Sequence, residues 1–213
     1  MKVIATSDLH GCLPPIPDCD LLLLAGDLCP ATDHSIGYQS EWLDTSFREW
    51  LNNSPAKQIV GIAGNHDLIF QRSPQDVPSD LPWTYLEDDS YEWQGFRIYG
   101  TPWQEYFGGW AFNMSLEELA LKRSEIPDDT DILISHGPPD TYGDAVFIND
   151  DHLKNTGCPH LLKRIKQVEP KLVVFGHIHE GRGVWTLGPT TLANVTHLDL
   201  SCAPVYPPWC IEL

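Results

Sequence analysis

Asp8, His10, Asp27, Asn65, His136, His177 and His179 are the side chains best suited to hold a metal ion. They fall in five short blocks: Asp8-Leu9-His10, Gly26-Asp27, Gly64-Asn65-His66-Asp67, His136-Gly137 and Gly176-His177-Ile178-His179. Carboxylate, imidazole and amide oxygen without thiolate suit Mn²⁺ first, with Fe, Zn²⁺ or Ni²⁺ also accepted, rather than a structural zinc site. Seven ligands are too many for one first-row ion and a natural number for two, with Asp27 the candidate to bridge them. Two ions about 3.5–4 Å apart clamp the attacking and leaving oxygens of an in-line phosphoryl displacement, and they lower the pKa of a bridging water towards about 7. The chemistry these residue types promise is that of a metal centre, with two ions the natural count.

Each block follows a short apolar run: Val3–Ser7, Leu21–Ala25, Ile59–Ala63, Ile132–Ser135 and Leu172–Phe175. Continuous apolar runs mark parallel strands buried on both faces. In an open α/β sheet the loops after the C-terminal strand ends form the ligand crevice, so five such loops aim their side chains at one place. In extended backbone, residues two apart face the same side, which would pair Asp8 with His10 and His177 with His179. Helical spacing appears over Ser40–Leu51, a capping box opens a helix at Ser115, and Cys158–Val168 forms another, closed by Pro170. Ser73–Pro82 reads as a surface loop, and Tyr91–Tyr99 as a hairpin turning at Gln94-Gly95. Beyond His179, Gly183–Leu187, Thr191–Val195 and Trp209–Leu213 suggest a second sheet following the main α/β part. The expected fold is α/β: one domain over residues 1–213, a layered sandwich of two mostly mixed β-sheets flanked by helices. The dinuclear site is expected at the C-terminal strand ends.

Composition limits the partners. With 30 acidic and 13 basic residues, the formal net charge is −17. Such a chain repels duplex DNA or extended RNA, and no Lys/Arg-rich stretch offsets this. A small phosphorylated substrate is still acceptable, because bound dications dominate the field locally. No apolar run approaches the ~20 residues that cross a bilayer. Asp8 and His10 interrupt the N-terminal apolar stretch too early for a signal peptide. The expected location is cytoplasmic, away from membranes, with Cys12, Cys19, Cys29, Cys158, Cys202 and Cys210 reduced.

Taken together, the five blocks in this order resemble the motif set of the calcineurin-like metallophosphoesterases, and the resemblance spans residues 8 to 179. It implies one metal held by Asp8, His10, Asp27 and His179, and a second held by Asp27, Asn65, His136 and His177. It also implies hydroxide formed between the metals as nucleophile. His66 would stand beside the phosphate with Asn65, stabilising it or protonating the leaving oxygen, and Asp67 would orient the His66 ring. Gly95–Trp103, Ser135–Pro139 and His177–Gly183 resemble more narrowly the metallophosphoesterase-domain-containing branch. Members of that branch are described as metal-dependent phosphodiesterases with cyclic nucleotides among their substrates. Some feeble members carry glycine where this chain has His177, so the intact residue favours a working enzyme.

The expected function is therefore hydrolysis of small phosphodiesters, 2′,3′- or 3′,5′-cyclic nucleotides among them. The alternatives are a phosphomonoesterase or protein phosphatase, and a nucleotide-binding protein with a vestigial metal site. Arg182, just past the last ligand, is a candidate to hold a phosphate or nucleotide oxygen. The aromatic stretch Trp103–Phe112 reads either as a stacking wall for a base or as packing around a turn. His34, His152, His160 and His197 fit no motif and read as surface residues, with His152 in a loop within reach of the site.

Overall fold

Leu21–Ala25 is apolar and buried at every position, which a strand achieves only when both of its faces are covered. The computed structural model, which describes residues 1–149 and 152–213, shows what covers them. One sheet has the strand order Trp209–Glu212, Lys2–Thr6, Leu21–Ala25, Gln58–Ile62 and Thr84–Tyr85. All its neighbours are parallel except Trp209–Glu212, which runs antiparallel to Lys2–Thr6. The other sheet has the order Gly183–Leu187, Thr190–Asn194, Leu172–Phe175, Ile132–Ser135, Phe96–Thr101 and Asp89–Trp93. Its four inner strands are parallel and its two edge strands antiparallel.

Alternation along each strand sorts the core into layers. Leu21, Leu23, Val60 and Ile62 face Ile98, Ile132, Ile134, Leu172 and Val174 of the opposite sheet. Leu22, Leu24 and Ile59 point the other way, against Leu43, Phe47 and Leu51. Tyr99, Leu133 and Val173 back onto Leu119, Leu161 and Ile165. The result is the expected helix–sheet–sheet–helix sandwich.

Several local expectations are met. Ser115 forms a full capping box with Glu118 at the head of helix Leu116–Ser124. Helix Pro159–Val168 stops at Glu169, which turns left-handed at φ 52°. Gln94 and Gly95, at φ 49° and 81°, make the two-residue turn between Asp89–Trp93 and Phe96–Thr101 that positive φ at both positions favours.

Two expectations are corrected. The late β pieces do not build a sheet of their own. Gly183–Leu187 and Thr190–Asn194 extend the sheet begun by Phe96–Thr101, and Trp209–Glu212 returns to pair with the first strand. Nor do the five ligand-bearing loops leave one open sheet: three follow strands of the first sheet and two follow strands of the second. Strands that are apolar on both faces carry no mark of which sheet they join.

Candidate metal centre

Three of the five loops that carry the proposed ligands turn left-handed at a ligand. Asp8, His10, Asp27 and His177 lie at φ 52°, 42°, 54° and 68°, a left-handed conformation that costs a non-glycine residue roughly 1–2 kcal/mol. The pairing of Asp8 with His10 therefore comes from a tight reversal rather than from strand alternation. The first two loops are zipped together: Asp8 N–H donates to Gly26 O at 2.9 Å, His10 N–H to Asp27 O at 3.0 Å, and Gly11 N–H to Leu28 O at 3.0 Å. Strain of this kind persists only where surrounding structure over-determines it, and it gathers at functional sites.

Three imidazoles present Nε2 to a carboxylate. His136 Nε2 lies 3.5 Å from Asp27 Oδ1 and 2.9 Å from Asn65 Oδ1, and its Nδ1 lies 2.9 Å from the Ala25 carbonyl. His179 repeats the pattern, with Nε2 3.7 Å from Asp8 Oδ1 and Nδ1 3.0 Å from the Asp199 carbonyl. His10 Nε2 stands 3.6 Å from Asp27 Oδ2, on the far oxygen from His136. A carbonyl at Nδ1 fixes the N–H there and leaves Nε2 of the neutral ring as a lone pair, the tautomer a metal requires. At His136 that lone pair meets two oxygen acceptors, an arrangement a cation at Nε2 would reconcile. His10 Nδ1 is buried and, among the described residues, has no hydrogen-bond partner.

Without a metal the cation is a proton. Burial disfavours charge on His136, but Asp27 and then Asp8 outweigh it and raise the ring to about 9. Burial likewise opposes charge on His179, and its bond to Asp8 overrides this, again to about 9. Burial would raise Asp8, yet His179 and His136 hold it at about 2. Burial would raise Asp27 too, yet His136, then His66 and His10, hold it well below the usual carboxylate range. His177 goes the other way, down to about 4, through burial and the neighbouring His136.

Ligand atoms gather in three overlapping groups, each within 4.8 Å: Asp8–His10–His179, His10–Asp27–His66, and Asp8–Asp27–His136. Asn65 joins the last through His136. His177 lies outside these groups, its ring 5.1 Å from that of His136. Its backbone N–H donates to both oxygens of Asp8 at 3.0 Å. His66 is anchored through its own N–H, which donates to Asp27 Oδ1 at 2.8 Å, and its carbonyl accepts from Gln39 Nε2 at 2.7 Å.

Two expected roles do not survive the geometry. Asp67 does not touch the His66 ring; its buried carboxylate accepts from the N–H groups of Leu28, Cys29 and Gly64 at 2.8–3.1 Å. It is a strut between the second and third loops. Burial and the nearby Asp27 charge raise it to about 6 despite those bonds. Arg182 does not reach towards the ligands. Its guanidinium donates to the carbonyls of Thr196 and Pro207 and lies between the Tyr206 and Trp209 rings, 4.7 and 5.0 Å from their centres. It pins the C-terminal segment whose Asp199 carbonyl holds His179. Arg182→Ala is expected to cost about 2 kcal/mol, or roughly 4–8 °C of melting temperature for a chain this size, with substrate KM little changed. Thermal melts and steady-state kinetics check this; a raised KM with an unchanged melt would restore the substrate role.

Other residues are relocated too. His197 is buried, with Nδ1 2.6 Å from the Tyr206 carbonyl. The side chain of His152 lies outside the described residues; its backbone begins strand His152–Asn155. Sequence reasoning missed His34, whose Nε2 is 2.9 Å from His66 Nδ1, and Gln39, buried beneath the His66 loop. Neither stands in a motif block, and no local signal marks them.

All five blocks lie inside residues 1–181, the span matched by the profile of the calcineurin-like phosphoesterases. The chain belongs to that family. It is 36% identical over 240 residues to metallophosphoesterase domain-containing protein 1 of Homo sapiens, a match covering 100% of this chain and 71% of that protein. Its fold is similar to that of a phosphopantetheinyl hydrolase from Mycobacterium tuberculosis, with TM-score 0.54 and 15% identity over 92% of this chain and 88% of the other. It is also similar to a 5′-nucleotidase precursor from Thermus thermophilus, with TM-score 0.52 and 14% identity over 91% and 48% of the two chains. Family membership makes the chain a phosphoesterase, and its histidine and aspartate groups can hold a divalent metal. No helix among the described residues is long and apolar enough to cross a membrane.

Proposed function

We propose that this phosphoesterase is a two-metal hydrolase of small phosphodiesters, with cyclic nucleotides as candidate substrates. The observation that carries the reading is Asp27, whose two oxygens face His136 on one side and His10 on the other. The donor set suits two divalent ions: Asp8, His10, Asp27 and His179 would hold one, and Asp27, Asn65 and His136 the other, with His177 beside His136 as its further ligand. Such ions, when bound, supply positive charge to the phosphoryl oxygens and acidify water near neutral pH. The chain's own residues do the rest. The carbonyls of Ala25 and Asp199 aim His136 and His179, Asp67 holds the second and third loops in register, and His66 offers Nε2 for proton donation to the departing oxygen.

Charge supports a diester over a monoester. Among the described residues no ion pair brings a lysine or arginine to this cluster, and Arg182 is occupied elsewhere. A monoanionic diester needs less cationic help from the protein than a dianionic monoester. Trp110, 4.1 Å from the His66 ring, and the exposed Tyr106 and Phe107 on the same loop offer aromatic surface to a base. The six free cysteines fit a reducing compartment, so we place the protein in the cytoplasm.

Mn²⁺-loaded protein is expected to hydrolyse bis-p-nitrophenyl phosphate faster than p-nitrophenyl phosphate. His66→Ala should retain its metal and lose about a hundredfold or more in kcat on a cyclic nucleotide, but far less on the p-nitrophenyl diester, whose leaving group needs no proton. Preference for the monoester would overturn the diester reading. Equal losses on both diesters would remove the acid role of His66.

A further inference from the structure

His34 sits in the loop after Asp27, just ahead of helix Ile36–Trp42. It is the one side chain whose hydrogen bond engages the His66 ring among the described residues: its Nε2 lies 2.9 Å from His66 Nδ1. Trp110 closes a triangle around the pair, its ring 4.1 Å from that of His66 and 4.9 Å from that of His34. The two imidazoles are 5.1 Å apart between centres. The contact therefore has a packed wall on one side and is set by more than one interaction.

Two imidazole nitrogens 2.9 Å apart share a single proton, so one must donate and the other accept. The choice decides what His66 can do. If His34 donates, the proton of neutral His66 stays on Nε2, and no proton can be released there without making an imidazolate. If His34 accepts, His66 keeps Nδ1–H throughout, and Nε2 is the nitrogen that gives up and regains a proton. The second arrangement is the one compatible with donation to a leaving oxygen.

We infer that His34 is the positioning residue of His66: its Nε2 accepts the Nδ1–H of His66, holding the ring in one orientation and reserving His66 Nε2 for the substrate. Burial, with the neighbouring His66 adding to it, lowers the basicity of His34, in keeping with a neutral acceptor. The inference rests on the proposed role of His66. It assigns to His34 the task expected of Asp67, whose carboxylate is committed to backbone N–H groups.

The test compares His34→Ala with His34→Gln, whose side-chain oxygen can accept a bond near the position of His34 Nε2. On a cyclic nucleotide, Mn²⁺-loaded His34→Ala should lose about ten- to a hundredfold in kcat, the range seen when an orienting partner is removed. KM and metal content should stay near wild type, and His34→Gln should recover most of the loss. A second readout does not depend on turnover. Long-range ¹H–¹⁵N spectra of metal-free protein should show His66 protonated on Nδ1 in the wild type and in His34→Gln, and a tautomer mixture in His34→Ala. Wild-type kcat in His34→Ala, or a neutral His66 whose single proton sits on Nε2 in the wild type, would overturn the inference. If His66→Ala itself keeps full activity, the acid role fails instead, and the spectra still decide whether His34 sets the His66 tautomer.

Discussion

Asp27→Asn is expected to abolish turnover, by about three powers of ten or more, while leaving the fold intact. The substitution changes almost no volume, so packing gives no reason for a loss. The chemistry does. Asp27 Oδ1 accepts the His66 N–H at 2.8 Å and faces His136 Nε2, and Oδ2 faces His10 Nε2. An amide has one oxygen. The His66 N–H claims it, because a buried donor left without a partner costs about 1–3 kcal/mol. The amide NH₂ then points at His10 Nε2, where the proposed first metal would sit. Losing a shared ligand removes several kcal/mol of charge stabilisation, and each 1.36 kcal/mol is a factor of about ten in rate. Metal analysis and kcat on a diester check the prediction; two retained metals with wild-type kcat would refute it.

Gly176→Ala should be nearly as damaging, for a purely steric reason. A Cβ at Gly176 would lie 2.1 Å from both Asp8 Oδ2 and Ser7 Oγ, far inside van der Waals contact. The Asp8 carboxylate cannot easily yield, since it is held by Ser7 Oγ at 2.5 Å and by the His177 N–H at 3.0 Å. Overpacking a filled site costs about 1–3 kcal/mol, and a ligand misplaced by an ångström costs about a hundredfold in rate. Both losses are expected together, in a denaturant midpoint and in kcat. Gly37→Ala is the control: a Cβ there meets nothing within 4 Å, and the helix gains rather than loses. Wild-type stability and turnover in Gly176→Ala would show that the loop can shift without consequence.

These glycines explain part of what the sequence makes legible. Gly26, Gly64 and Gly176 each stand directly before a ligand, and at each of them a Cβ would strike a ligand side chain within 2.7 Å. The block pattern thus encodes both the donors and the space they occupy. The strands are legible for a similar reason. Leu21–Ala25 and Leu172–Phe175 are buried on both faces, so composition alone marks them, and both ranges agree with the structure. The same property hides which sheet each strand joins. The left-handed turns at Asp8, His10, Asp27 and His177 are invisible because these residues are not glycine, and contacts made elsewhere in the chain offset the cost of that conformation. Asp67 and Arg182 are misread because a charged side chain beside a ligand suggests chemistry, whereas loops and termini also need charged struts. His34 goes unread because its partner is 32 positions away and nothing in its own neighbourhood is periodic or motif-like.

Whether a pair of metal ions shares Asp27 is decided by an anomalous difference map from Mn²⁺-loaded crystals, collected at the manganese edge. Two peaks are expected, about 3.5–4 Å apart, one on each side of the Asp27 carboxylate. One peak should also touch Asp8, His10 and His179, and the other Asn65, His136 and His177. A single peak, or two peaks that do not share Asp27, would contradict the two-metal reading.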